Sequence, residues 1–436
     1  MKKLIYILQL LPFIVLGQNT EKYMEKGDEK FRAGDYAAAI KFYNQAIDFD
    51  LRAQDAYFNR ALAKFELKDY QGAINDYSSI LFLKRSPKVY TNRGVAKRNI
   101  NDFAGAISDY TNAIALDSNF TEAYNNRGLA HVYSKNYPAA IEDFTKAIIH
   151  YRDYAEAYYN RASAKQYLKD YKSALEDYGR VIALNPKNDT AYLYSGIIRM
   201  SLNDDNGAYT DFTKLIDLSP KNFDAYFNRG LLKDKLNDYK GAISDYKQTI
   251  ALNEKHEKAY VNLGVIYSNM GDFNEALANF NKAIGLNPNS ASAYNNKGLV
   301  KSYQNDFAGA ITNFNKAITL DGNLSSAYNN RGYAKNQLKD FNGSVIDLKK
   351  ALVLDPKNVT ANLNMGNSLS ALKKFKEAIT YYSAAIKLDP QYGNAYNNRG
   401  LAKYFSGDKN GSCADLTKAN SLGFAEARSN LAKYCK

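Results

Sequence analysis

A tyrosine returns every 34 residues along this chain, at Tyr23, Tyr57, Tyr90, Tyr124, Tyr158, Tyr192, Tyr226, Tyr260, Tyr294, Tyr328 and Tyr396. The step from Tyr57 to Tyr90 is one residue short, and Asn362 fills one slot. A fixed period of this size requires a stack of small similar units, each burying its apolar face against the next. It excludes a globule with one central core. By length alone, 436 residues would suggest two or three ordinary domains. The unbroken period overrides that expectation and predicts one elongated array. A stack offers a long surface and little catalytic chemistry, so the reading begins with a binding scaffold.

Within the 34-residue frame, the tyrosine is taken as position 4, so that the unit around Tyr158 reads AEAYYNRASAKQYLKDYKSALEDYGRVIALNPKN. Position 8 is Gly or Ala throughout, as in Gly27, Ala61, Gly94, Gly128, Ala162 and Gly196. Position 20 is Ala except at Ser344 and Ser412. Small side chains at these two places allow two helices to approach closely, offsetting the roughly 1 kcal/mol that a helical Gly costs against Ala. Positions 17 and 24 are aromatic in most units, for example Tyr36, Phe103 and Phe307, and Tyr43, Phe144 and Phe314. Spacings of three and four residues place 4 with 8, and 17 with 20, 21 and 24, on common helix faces. Each unit is therefore expected to be two amphipathic helices, A over about positions 3–14 and B over about 16–29. Asp at position 16, as in Asp69, Asp170 and Asp306, suits an N-cap and the helix dipole. Pro186, Pro220, Pro288, Pro356 and Pro390, all at position 32, close helix B.

This pattern resembles the tetratricopeptide repeat family. The matching features are the aromatics at 4 and 24, Gly/Ala at 8, Ala at 20, a small or apolar residue at 27 and Pro at 32. The resemblance covers about residues 20–422 in twelve units. It implies an all-α, right-handed superhelical solenoid of about twelve helix-turn-helix units with a C-terminal capping helix. The expected organisation is a signal peptide over 1–17, the repeat array over 18–422 and a cap over 423–436. Two departures from the family stand out. Position 7, usually Leu, is often Arg, and position 11, usually Tyr, is Lys or Arg in most units.

The first departure has an internal partner. Arg60, Arg93, Arg127, Arg161, Arg229, Arg331 and Arg399 occupy position 7. The same seven units carry Asp76, Asp109, Asp143, Asp177, Asp245, Asp347 and Asp415 at position 23. In the other five units Asp occurs at that place once, as Asp211. The correlation predicts an Arg–Asp bridge across each A–B hairpin, fixing register more than adding net stability.

Helix A of this family lines the concave side of the superhelix, which implies that positions 2, 6, 9 and 13 face a groove. Position 6 is Asn59, Asn92, Asn126, Asn160, Asn228, Asn262, Asn296, Asn330, Asn364 and Asn398, broken only by Glu25 and Tyr194. Asn is a mediocre helix former, so ten at one mid-helix place call for a reason. A primary amide can donate to a peptide carbonyl and accept from a peptide N–H at once. The row resembles the asparagine ladder of tetratricopeptide proteins that clasp extended peptides. Bonds to neighbouring helices or to water are the other role open to it. Beside it, position 9 is apolar at Leu129, Leu231 and Leu299 among others, as a partner surface would be. A clamp for acidic tails needs Lys and Asn at positions 5 and 9 of the first unit. Met24 and Asp28 stand there instead.

Net charge is +13, two units lower without Lys2 and Lys3. The excess favours anionic neighbours, but it is dispersed through the repeats and forms no basic run. A binder of anionic envelope material or nucleic acid is therefore the second reading, behind a protein or peptide partner. Lys2-Lys3, the apolar Leu4 to Leu16 and Val15-Leu16-Gly17 have the layout of a secretory leader. The expected mature chain starts near Gln18, lies beyond the cytoplasmic membrane and has no membrane span. Cys413 and Cys435 fall at position 21 of the last helix B and position 11 of a thirteenth helix A, antiparallel neighbours that a disulfide could join. No nucleophile–base set, phosphate loop or metal spacing is present in the sequence. The expectation is a chain without catalysis, cofactor or metal.

Overall fold

The computed structural model describes residues 19–435. The leader expected over residues 1–17, and the mature start at residue 18, lie outside them. The chain divides after Pro220 into two compact units. In the first, helices α1 (19–32), α2 (Tyr36–Phe49), α3 (Gln54–Glu66), α4 (Tyr70–Leu83), α5 (Pro87–Asn99), α6 (Phe103–Leu116), α7 (Thr121–Tyr133), α8 (Tyr137–His150), α9 (Ala155–Tyr167), α10 (Tyr171–Leu184), α11 (Asp189–Ser201) and α12 (Asp205–Leu218) form six consecutive A–B hairpins. In the second, α13 (Phe223–Lys235), α14 (Tyr239–Leu252), α15 (Glu257–Asn269), α16 (Phe273–Leu286), α17 (Ala291–Tyr303), α18 (Phe307–Leu320), α19 (Ser325–Gln337), α20 (Phe341–Leu354), α21 (Val359–Ala371), α22 (Phe375–Leu388), α23 (Gly393–Phe405) and α24 (Lys409–Ser421) form six more, followed by α25 (Ala425–Tyr434). No strand occurs among the described residues. Twelve helix-turn-helix units and a terminal helix match the fold class expected from the sequence.

The helices sit slightly differently from the expected spans. Helix A runs over positions 1–13, as Gln54–Glu66 does, and helix B over positions 17–30, as Tyr70–Leu83 does. Position 15 is left-handed in repeat after repeat, at Lys68, Asn101, Lys135, Lys169 and Asn203, and by glycine at Gly34, Gly271 and Gly407. That residue reverses the chain: Lys68 N donates to Phe65 O, and Asp69 N to Lys64 O, both at 2.8 Å. Position 16 then caps helix B. The Asp69 carboxylate accepts from Gly72 N at 2.9 Å, and Asp102, Asp306 and Asp340 act alike.

The fully buried positions of helix A are 3, 8 and 10, for instance Ala56, Ala61 and Ala63 in α3, and Ala157, Ala162 and Ala164 in α9. Position 4, which its spacing put on the same face as 8, is half-buried in most units, as are 7 and 11; Tyr192, Asn362, Ser195, Leu263, Met365 and Leu369 are buried. The small residues bring the helix A backbone down onto helix B, leaving the longer side chains to lean out around the contact. Helix B contributes positions 20, 24 and 27, as with Ala140, Phe144 and Ala147. The ring at 24 lies on the Gly at 8: a Cβ on Gly128 would come within 2.6 Å of Phe144, and one on Gly366 within 2.4 Å of Tyr382. No helix among the described residues is long and apolar enough to cross a membrane.

Candidate binding face of the A helices

All seven Arg–Asp pairs close across their hairpins. Arg60 Nη2 lies 2.6 Å from Asp76 Oδ1 and Arg60 Nε 2.9 Å from Oδ2, a bidentate fork. Arg93–Asp109, Arg127–Asp143, Arg161–Asp177, Arg229–Asp245, Arg331–Asp347 and Arg399–Asp415 repeat it, with shortest contacts between 2.5 and 2.8 Å. The aspartates are buried. Each guanidinium also sits over the position 4 tyrosine, as Arg161 does over Tyr158 at 5.5 Å. A third member, absent from the expected Arg–Asp bridge, joins most of these pairs. Position 11 lysines Lys64, Lys97, Lys165, Lys233, Lys335 and Lys403 reach the same aspartates at 2.8–2.9 Å. Asp211, whose repeat has Ser195 at position 7, takes Arg199 from position 11 at 3.0 Å. Burial holds the Asp211 carboxyl above its usual value, against the pull of Ser195 and Arg199. The two departures from the family pattern are thus one device, and they tie much of the basic excess to carboxylates.

The position 6 asparagines are half-buried, and several spend their amides within the protein. In the first unit Asn59 Nδ2 donates to Asp28 Oδ1 in α1 at 2.9 Å, and Asn160 Nδ2 to Asn125 Oδ1 in α7 at 3.0 Å. In the second, Asn330 Nδ2 donates to Asn295 at 3.2 Å, Asn364 to Asn329 at 3.1 Å and Asn398 to Asn367 at 2.9 Å. Each of these bonds runs to the preceding A helix. Asn228 Nδ2 turns back to Asp224 O in its own helix, and Asn262 Nδ2 approaches Tyr246 Oη at 3.5 Å. Asn92, Asn126 and Asn296 share the half-buried setting. Five of the ten asparagines therefore tie A helix to A helix, a role that the sequence had left open beside peptide binding. The acceptors, Asn125, Asn295 and Asn329 at position 5 and Asp28 and Asn367 at position 9, gave no sequence signal, because their use depends on the A–A distance set by the small buried residues.

Leu129, Leu231 and Leu299 at position 9 are half-buried beside that row. One turn further, position 13 carries an exposed ring in four repeats: Tyr133, Tyr167, Tyr303 and Phe405 are 54–63% accessible. Each stacks on the position 17 ring of the preceding repeat. Tyr133 lies 5.5 Å from Phe103, Tyr167 4.8 Å from Tyr137, Tyr303 5.9 Å from Phe273 and Phe405 5.4 Å from Phe375. The A-helix face thus combines engaged amides, half-buried aliphatics and exposed aromatics. Two cavities open on it. One of about 320 Å³ lies among Asp28, Phe31, Asn59 and Leu62, and one of about 710 Å³ among Asn367, Ser370, Asn398 and Leu401.

Cys413 and Cys435 are joined by a disulfide that fastens α25 to α24. No group of residues suited to a metal ion is found among the described residues.

Models of the tetratricopeptide repeat match residues 24–88, 91–158, 155–188, 223–256, 257–290, 291–324 and 325–358, and a TPR repeat model matches 366–407. No curated protein matches the chain. Among solved structures, the APC/C hetero-tetramer Cut9–Hcn1 is 14% identical over 98% of this chain and 99% of that one, with a TM-score of 0.54, and shares the fold. The C-terminal part of a TPR repeat-containing protein from Cytophaga hutchinsonii is 22% identical over 54% of this chain and 97% of its own, with a TM-score of 0.48. YrrB, described as a TPR protein with an unusual peptide-binding site, is 27% identical over 43% of this chain and 96% of its own, with a TM-score of 0.37. Repeats of this kind typically mediate protein–protein interaction without catalysis. With matches over most of its length, the chain belongs to the tetratricopeptide repeat family.

Proposed function

We propose that this chain is an exported, non-catalytic scaffold that binds extended peptide or protein partners on the A-helix faces of its repeats. The observation that carries this reading is the row of half-buried aliphatics at position 9, flanked in four repeats by exposed, stacked rings at position 13. Apolar side chains left in contact with water on one recurrent face are the usual mark of a partner surface. The asparagine row supports it less directly. With amides such as Asn160 and Asn364 already bonded to the preceding A helix, it sets the spacing of the face and leaves affinity to the apolar rows. Export is supported by the leader-like residues 1–17 and agrees with a disulfide between the only two cysteines. Binding of polyanions is the weaker reading, because the seven arginines and six lysines named above already face carboxylates.

Site-specific photocrosslinking tests the proposal. A benzophenone amino acid at Leu129, Leu231 or Leu299 is expected to capture partners from an extract of the native source. The same group at the exposed Phe82 or Ile346 on B helices is expected to capture none of them. Equal capture from both sets overturns the assignment of the face.

A further inference from the structure

We propose that the cavity between α21, α22 and α23 is a pocket for a peptide segment that presents one aromatic side chain followed by carboxylates. This rests on the reading above and names the chemistry of one guest. The cavity holds about 710 Å³, within the roughly 300–1,000 Å³ of pockets that bury small ligands. Its apolar wall is Phe375, Leu401 and Phe405, with the two phenyl rings stacked at 5.4 Å. That wall is braced from behind. Tyr434 of α25 packs on Tyr404 at 4.7 Å and on Phe405 at 6.1 Å, and the neighbouring Cys435 is bonded to Cys413. The floor is polar and fixed, with Asn367 Oδ1 accepting from Tyr382 Oη and from Asn398 Nδ2, each at 2.9 Å. An aromatic ring entering this space would meet ring faces on one side and satisfied amides below.

The charge at the mouth decides what accompanies the ring. Lys373 lines both the cavity and the adjoining surface with Lys374 and Lys376, against the single acid Glu377. Glu377 lies 3.8 Å from Lys374, and both are exposed. Lys374 is also the N-cap of α22 and makes no side-chain cap bond. The other B helices have Asp or Asn there, accepting from the first turn, as Asp340 does from Gly343 N. A cation thus stands where the fold elsewhere puts a carboxylate. A guest carboxylate would complement both the lysines and the positive end of the helix. The first repeat offers a built-in contrast. There Phe31 occupies position 12, the place of Ser370, and the corresponding cavity shrinks to about 320 Å³.

The chain contains no tryptophan, so a tryptophan in a probe peptide reports its own burial. The probe is a capped peptide with one tryptophan followed by two aspartates, titrated against the full chain. Its emission is expected to shift to the blue, and the affinity to fall with added salt. Ser370→Phe fills the cavity as Phe31 does and is expected to weaken binding by at least about tenfold, the scale of one lost anchor ring. Lys374→Asp restores the missing cap, so the fold is kept while affinity drops severalfold. A peptide with two lysines in place of the aspartates is expected not to bind. The proposal fails if the emission does not move at millimolar chain. It also fails if Ser370→Phe binds the probe as well as the parent does, or if the lysine peptide binds equally. Competition by phosphatidylserine vesicles that persists in Ser370→Phe would reassign the lysines to a lipid surface and overturn it as well. Failure here with intact crosslinks at Leu129, Leu231 and Leu299 leaves the face standing and removes only the pocket.

Discussion

At the scale of single residues, the recurring unit of stability is an aspartate on helix B holding two cations from helix A. Asp177 illustrates it, with Arg161 at 2.7 Å and Lys165 at 2.8 Å. Removing one member of a buried pair is far more costly than replacing the set by apolar residues. Asp177→Ala is therefore expected to cost about 3 kcal/mol. The triple change Arg161→Leu, Lys165→Tyr and Asp177→Asn copies the natural trio Leu263, Tyr267 and Asn279 of another repeat and should cost under about 1 kcal/mol. Urea unfolding of both variants checks this, and equal losses would refute it. His131 takes the lysine place opposite Asp143, at 3.8 Å. Burial lowers its pKa; Asp143 opposes that and Arg127 adds to it. A depressed histidine pKa means that the unfolded chain takes the proton more readily. Stability is thus present above the ordinary histidine range and is lost as pH falls through about 6.5. Protection factors in α7 and α8, with the intrinsic pH dependence of amide exchange divided out, are expected to fall between pH 7.5 and 5.5, and His131→Lys to abolish that dependence. The seven Arg–Asp pairs were legible because Arg and Asp vary together across repeats. The lysine at position 11 was not, because it read as a lone departure from the family.

At the scale of elements, the sequence marked helix B more sharply than helix A. Asp at position 16 announces where B begins, and the side chain does cap there, as Asp238 does toward Gly241 N at 3.0 Å. Helix A has no such uniform signal. Only some A helices are capped by a side chain, for example α11 by Asn188 and α13 by Asn222. This is why the expected start of A at position 3 fell two residues late. The packed face of A was misread for a related reason. Tyrosine at 4 and arginine at 7 dominate the pattern by size, whereas the contact is made by alanine at 3, Gly or Ala at 8 and the alanines or aliphatics at 10, such as Ala164 and Ile198. Capping also yields a test. α22 alone among the B helices from α2 to α24 has a lysine at its N-cap. Lys374→Asp places Asp three residues before Glu377, the arrangement of a capping box. It is expected to stabilise α22 by about 1 kcal/mol, while Asp238→Ala destabilises α14 by a similar amount. Thermal melts of the two variants should move in opposite directions, and a shift of the same sign would contradict the assignment.

At the scale of the whole molecule, contacts are made between helices near in sequence. α24 packs on α23, and α25 on α24 and α23. Stability in such an array is a sum of repeat and neighbour terms, so damage at an end stays near that end. Within α25 only Ala427 is fully buried, and the Cys413–Cys435 bond closes a loop of 22 residues around the helix. By chain entropy a loop of this length contributes about 3 kcal/mol. The Asn430 amide adds a bond to Asn397 Oδ1 at 2.8 Å. Reduction with dithiothreitol, or Cys435→Ser, is therefore expected to release α25 and to bare the face of Tyr404 on which Tyr434 packs. Hydrogen exchange should then speed up in α25 and modestly in α24, with α14 to α20 unchanged. Because Tyr434 braces Phe405, the same treatment should weaken the tryptophan–aspartate peptide while leaving crosslinks at Leu231 and Leu299 as they were. Exchange that quickens uniformly through the second unit would instead mean that its repeats unfold as one cooperative body, and that the bond supports far more than the last helix.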